Sequence, residues 1–224
     1  GYKLVIAPML YLHRDGIADK LRRFVSSGGT LVGTYWSGLV DENDLCFEGP
    51  TPGEGLTKVY GLRSEEIDGL RDEDSNHMFW NGKLYELREL CELVHIGSAK
   101  TLAVYSNDFY AGKAALTVNH FGEGRAYFLA ARAEDTFYCD FYRQLTQQIG
   151  VCPSLGHTVL PEGITAGSRF TDDGKEFIAV QNFTPRMVCI PLEKPLTNLE
   201  NCQTETSLTL PPYGVRFLTQ ESST

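Results

Sequence analysis

Close cysteine pairs are absent. Cys46, Cys91, Cys139, Cys152, Cys189 and Cys202 stand far apart in the sequence, without the spacing of zinc ribbons or thioredoxin-like redox sites, and they read as mostly buried free thiols. Also missing are an N-terminal apolar h-region and any apolar run approaching the roughly 18 residues that a membrane helix needs, so no membrane contact is expected and the predicted compartment is the cytoplasm. Basic residues are not in surplus: 20 Lys and Arg stand against 29 Asp and Glu, for a formal net charge of -9, which argues against nucleic acid as a partner. Neither GxGxxG nor GxxxxGK[ST] joins a strand to a helix, because the first such junction reads PMLYLHRDG, and no nucleotide or other cofactor is expected. A Ser or Cys on a G-x-S-x-G-type elbow is absent as well. His13, His77, His95, His120 and His157 are scattered without metal-ligand spacing; they read as surface or satisfied buried imidazoles, His120 as packed in a strand beside Phe121, and no metal site is expected.

What is present is ordinary globular sequence. At 224 residues, 42% hydrophobic and 22% charged, the chain is long enough for two modest domains with real cores. Lys3 to Ala7 (KLVIA) and Thr30 to Trp36 (TLVGTYW) are continuous apolar runs that suit buried strands of a parallel sheet. Between them Ile17, Leu21, Phe24 and Val25 fall on one face of an amphipathic helix, with Asp15 as the candidate N-cap and Gly28 and Gly29 as the exit. Strand, helix, strand predicts a right-handed βαβ unit. A Gly-, Pro- and acid-rich loop follows from Ser37 to about Arg63, with one short helix over Leu56 to Tyr60. Strands are predicted at Leu102 to Tyr105, Ala114 to Asn119 and Arg125 to Ala130, the last after a turn at Glu123 and Gly124, and a helix from Thr136 to Ile149. Seven prolines within 60 residues then end the helical periodicity, and the Asp-Asp-Gly turn in RFTDDGKEFIAVQNF and the ending TSLTLPPYGVRFL predict antiparallel strands. The domains expected are 1–153, α/β, and 154–224, small and all-β.

Glu65, Glu66, Asp68, Asp72, Glu73 and Asp74 make an acidic stretch. A glycosidase needs two carboxyl groups about 5 Å apart with one acid in an apolar pocket, and clustering in sequence supplies neither; the stretch reads as a solvated polar loop. No catalytic residue is assigned.

YKLVIAPMLYL, FVSSGGTLVGTYWSGLVDENDLCFEG, GLRSEEIDGL and FGEGRAYFLAAR, in that order, resemble the trimerisation domain of family 42 β-galactosidases, with the run from Ser37 to Asp44 and Glu65 to Asp68 as the most family-like segments. LPEGI, FTDDGKEFIAVQNFT and LPPYGV are similar to the small β domain that ends these enzymes. The resemblance implies a fold like that of class I glutamine amidotransferases or flavodoxins, an open, mostly parallel sheet flanked by helices, followed by the small antiparallel domain. It implies a parent enzyme hydrolysing terminal β-D-galactosides with retention on an upstream (β/α)8 barrel that bears the catalytic glutamates. It also implies a non-catalytic role for this chain in joining a homotrimer. Residue 1 is Gly and a strand-like run follows at once, which fits an excised piece. Trp36, Ser37, Asp41, Glu42 and Asp44 are then the candidates for the subunit interface or the active-site rim. Two alternatives stay open. One is an amidotransferase-like hydrolase using Cys46 or Cys91; the other is a carbohydrate-binding module whose Tyr213 or Phe183 would form a stacking platform, although both read first as core.

Overall fold

The computed structural model describes residues 1–156 and 158–220; His157 lies outside the described residues. The chain divides into two compact units, Gly1–Ile149 and Gly150–Thr224.

In the first unit, β1 (Leu4–Ala7), α1 (Ile17–Ser26) and β2 (Thr30–Thr34) form the βαβ element, with Leu4 opposite Thr30 and Ala7 opposite Gly33 in parallel register. Helix α1 begins from Gly16 in the left-handed conformation (φ 75°) rather than from Asp15, and no side chain caps it. There follow α2 (Leu56–Tyr60), β3 (Leu62–Gly69), β4 (Asn76–Trp80), β5 (Lys83–Ile96), β6 (Lys100–Tyr105), β7 (Ala114–Phe121), β8 (Gly124–Leu129), β9 (Ala131–Ala133) and α3 (Asp135–Gln148). The sheet order is β1-β2-β8-β7-β6-β4-β5-β3, with β9 paired to β5 off that path.

Only β1, β2 and β8 run parallel; every other pairing in this sheet is antiparallel. The expected amidotransferase- or flavodoxin-like architecture, mostly parallel and flanked by helices, is therefore overturned. The described residues form a mostly β chain, with three helices against fourteen strands. The physical cause lies between β2 and β8. A parallel neighbour needs a crossover of a dozen or more residues, usually helical, whereas an Asn-Gly pair closes a two-residue hairpin. Asn81 and Gly82, at φ 48° and 80°, turn β4 directly into β5, with Trp80 opposite Lys83. Another two-residue turn, at Gly122 and Glu123, joins β7 to β8. The acidic stretch is likewise not all loop, since its first half lies in β3 on the sheet edge.

β2 and β8 are covered on both faces, which is why β2 reads as an unbroken apolar run, whereas β1, expected as a buried strand, lies at the sheet edge with only Ala7 buried and Ile6 exposed. Leu31, Ala126 and Phe128 pack with Val25, Val59 and Tyr60 from α1 and α2. Val32, Tyr127 and Leu129 face the other way, toward Phe137, Phe141 and Leu145 of α3. On that side Trp80, Tyr85, Phe137 and Phe141 form an aromatic cluster with ring centroids 5.2–6.2 Å apart.

The second unit has β10 (Ile164–Phe170), β11 (Glu176–Asn182), β12 (Val188–Asn198), β13 (Thr204–Leu210) and β14 (Val215–Thr219) in one antiparallel sheet of order β10-β11-β14-β12-β13. The Asp-Asp-Gly segment joins β10 to β11. The proline turn connects β13 and β14, but these do not pair, because β12 lies between them. Ile178, Val180, Ile190, Leu208, Leu210 and Leu218 form the core.

Three side-chain expectations are corrected. Of the six free cysteines only Cys91 is buried. His120 is exposed, because on β7 it alternates with the inward Asn119. Phe183 and Tyr213 are exposed rather than core, for each lies in a turn beyond the end of a strand. Among the described residues, no helix is long and apolar enough to cross a membrane.

Candidate functional site

The carboxyl ends of β1 and β2 carry two bulky apolar residues with a left-handed backbone. Chain leaving β1 passes through Met9 (φ 43°) and chain leaving β2 through Trp36 (φ 57°), a left-handed region that bulky residues avoid and that clusters at functional sites. Each strained residue has its amide caught by a side chain. Met9 N–H donates to Thr34 Oγ1 at 2.8 Å, and Trp36 N–H donates to Glu92 Oε2 at 2.8 Å.

The loop after Trp36 is ordered by hydrogen bonds to the segment after β1. Gly38 N–H donates to the Leu10 carbonyl at 2.7 Å, Leu39 N–H to Tyr11 at 3.0 Å and His13 N–H to Val40 at 3.0 Å. Gly38 has φ +64°, and a Cβ there would stand 2.9 Å from the Gly53 nitrogen and 3.0 Å from the His13 ring. His13, buried, pairs through Nδ1 with Glu54 at 2.9 Å, and its ring lies 5.7 Å from that of Phe47. The loop is thus a packed excursion that returns into α2.

The sequence-selected residues have distinct places in it. Trp36 is 38% exposed at the mouth of the loop. Ser37 is buried, with its hydroxyl donating to the Thr34 carbonyl at 2.6 Å. The Asp41 carboxylate accepts from the amides of Asn43 (2.8 Å) and Leu45 (3.0 Å), and those two amides, Leu45 first, hold its carboxyl below the ordinary range. Glu42 is exposed. Asp44, at φ 62°, hydrogen-bonds the Tyr11 phenol and so raises that phenol's pKa. Trp36, Met9, Tyr11, Leu12 and Leu45, the last 63% exposed, present large apolar side chains to solvent around this loop. Sequence reasoning selected Trp36 and the acids but missed Met9, Leu45 and the supporting Glu92.

The other candidates are dispersed. Glu65 pairs with His95 (2.5 Å) and Lys113 (3.6 Å). Asp68 accepts the Tyr110 hydroxyl at 2.7 Å, and Arg71 pairs with Asp74 at 2.8 Å. Burial pushes the Cys91 thiol up to about 11, the reverse of an activated nucleophile; Cys46 is exposed. Among the described residues no group of three or more His, Cys, Asp or Glu side chains is placed to hold a metal ion.

Residues 1–152 match the model of the β-galactosidase trimerisation domain. The chain is 44% identical, over 97% of its length, to β-galactosidase BglY of Alicyclobacillus acidocaldarius, and 43% identical, again over 97%, to β-galactosidase Pbg of Clostridium perfringens. It spans about a third of these relatives, 33% and 32% respectively. Among solved structures, it is similar to the β-galactosidase of Rahnella sp. R3 (41% identity, TM-score 0.84, 98% of this chain and 32% of that one). It is also similar to Gan42B, a family GH42 β-galactosidase from G. stearothermophilus (34% identity, TM-score 0.86, 99% of this chain and 32% of that one).

Proposed function

From the premise that this chain belongs to the family 42 β-galactosidases and carries their trimerisation domain, we propose that it assembles the enzyme rather than performing its chemistry. Residues 1–153 join three copies, and the antiparallel domain from 154 onward completes the region. The bond-breaking glutamates lie on a (β/α)8 barrel elsewhere in the polypeptide, where terminal β-D-galactosides are hydrolysed with retention. Six unpaired thiols support a cytoplasmic setting.

The observation that carries this reading is the face at the carboxyl ends of β1 and β2, where Met9, Tyr11, Leu12, Trp36 and Leu45 stand exposed together on a loop whose backbone is fixed. Clustered apolar side chains on an ordered scaffold favour association by excluding water, and the ordering entropy has already been lost before partners meet. In this reading Asp41 and Asp44 shape the loop from within, and Trp36 and Glu42 stand at the interface or its rim.

Sedimentation equilibrium of the chain tests it. The expected mass is three times 25.0 kDa, falling to that of a monomer in a Trp36→Asp, Leu45→Asp variant whose circular dichroism is unchanged. A folded double variant that keeps the mass of the unmodified chain moves the interface to another face.

A further inference from the structure

Glu92 is a carboxylate in an unusual place. It lies on β5 between buried Cys91 and Leu93 and is itself 1% exposed. Among the described residues no ion pair holds it. Its carboxylate takes the Trp36 amide across 56 positions of sequence at 2.8 Å, and the Ser64 hydroxyl is its other hydrogen-bond partner.

The backbone that carries it is fixed as well. Glu92 N–H donates to the Ala130 carbonyl at 2.6 Å. The Tyr105 hydroxyl lies 2.9 Å from the Glu92 carbonyl and 2.6 Å from that of Ala130. Burying an acid costs free energy, and burial pushes the Glu92 carboxyl above the ordinary glutamate range, while the hydrogen bonds from Ser64 and the Trp36 amide work against that rise and offset part of the cost. The one backbone group that this acid serves belongs to a bulky residue with φ 57° whose side chain is exposed. Thr34 does the same for Met9 one strand away, so the arrangement occurs twice on one face.

We propose that Glu92 is a positioning residue, whose buried carboxylate holds Trp36 in the left-handed backbone conformation that presents its indole at the carboxyl end of β2. The effect on assembly rests on the reading of that face given above; the positioning itself does not.

The chain has two tryptophans, and the second, Trp80, is buried in the aromatic cluster. Read on the chain diluted until it is monomeric, acrylamide-accessible fluorescence therefore reports Trp36, while the mass is read at the concentration where the chain assembles. Glu92→Leu removes the acceptor, and Glu92→Gln keeps an oxygen that can accept the same amide. The expected result is loss of the native quenching constant in folded Glu92→Leu, retention in Glu92→Gln, and a trimer that dissociates in the first variant alone. In the unmodified chain the Trp36 amide, read by NMR, exchanges at least about tenfold slower than in a free chain; this measurement decides the matter should Glu92→Leu not fold. If Glu92→Leu alters quenching but leaves the mass intact, the positioning stands and the assembly reading of this face falls. A folded Glu92→Leu with native quenching, or a Trp36 amide exchanging at the free-chain rate, overturns the proposal.

Discussion

The parallel strands β2 and β8 of the first unit and the five-stranded sheet of the second bury their apolar side chains in different ways. In β2 all five residues are buried and neighbours in sequence face opposite helical layers. In β11 and β13 buried positions alternate with accessible ones over much of each strand, around one cluster. A two-sided layer leaves its strands no surface of their own, so function is displaced to the loops at the strand ends, where the strained residues Met9 and Trp36 lie. A sheet packed on one side keeps a solvent face along its whole length. The difference predicts that damage in the first unit is felt through many contacts at once, whereas damage in the second is felt locally.

The largest effect expected is at Phe137. It is fully buried, edge-on to Trp80 at 5.5 Å and Tyr85 at 5.2 Å and stacked on Phe141 at 5.5 Å. Phe137→Ala should destabilise its unit by about 3–5 kcal/mol, and Ile178→Ala in the β11 core by about 2–5 kcal/mol. Hydrogen exchange followed in increasing denaturant separates the two. Phe137→Ala is expected to release β2, β4 and β8 while β11 keeps its protection, and Ile178→Ala to do the reverse. Joint loss of protection in both sheets from either change would break the contrast.

The same contrast explains what could be read in advance. β2 and α1 were legible because burial on two faces leaves a continuous apolar run, and an amphipathic helix has its own period; β1 shows the same apolar run although only its Ala7 is buried. The β10–β11 hairpin was legible from its Asp-Asp-Gly turn. The segment from residue 62 to 100 was not. In β5, charged Glu86, Arg88, Glu89 and Glu92 are interspersed with apolar residues over fourteen positions, a pattern that resembles a polar crossover unless Asn81-Gly82 is given its weight as a hairpin turn. That omission hid the β4–β5 hairpin and left unopposed the mostly parallel sheet that the resemblance and the βαβ unit implied. Glu92 was hidden for a related reason. An acid in a strand suggests a solvent-facing position, and the available signal was its neighbours, Cys91, Leu93 and Val94, all buried. Trp36 was legible as the end of an obvious apolar run, read as strand to Trp36 although β2 stops at Thr34; the conformation that makes it unusual was not, since nothing local marks a tryptophan at positive φ.

A smaller effect separates two glycines with similar backbones. Gly38 (φ +64°) would bring a Cβ to 2.9 Å from the backbone nitrogen of Gly53, whereas Gly174 (φ +85°), in the turn between β10 and β11, faces open space. Both substitutions carry the strain of positive φ, of order 1 kcal/mol, but only Gly38→Ala also forces two backbone segments apart, for a total of about 1–3 kcal/mol. Thermal unfolding of the two single variants measures the difference. Equal losses would mean that the loop after β2 yields as freely as an exposed hairpin, and that the fixed scaffold under the exposed apolar face is not fixed.

The smallest effect is electrostatic and compares the same two turns. Asp41 is held below the ordinary aspartate range first by the Leu45 amide and then by that of Asn43, Asp173 first by the Thr171 hydroxyl. Asp173 is exposed and Asp41 only partly buried, so each contributes little. The sign is nonetheless fixed: a carboxyl whose pKa is depressed by folding stabilises the fold above its unfolded value, near 3.9, and that contribution is lost as pH falls through the lower folded value. Acidification should therefore move the Asn43 and Leu45 amide resonances together, with a midpoint below 3.9, and Asp41→Ala should abolish that titration. The 171–175 turn should respond in the same window. Because backbone amides come first at Asp41 and a side-chain hydroxyl comes first at Asp173, with backbone amides behind it, the backbone of the first loop should change the more for the same proton gained; a larger change at 171–175 would reverse the assignment of which turn depends on its carboxylate.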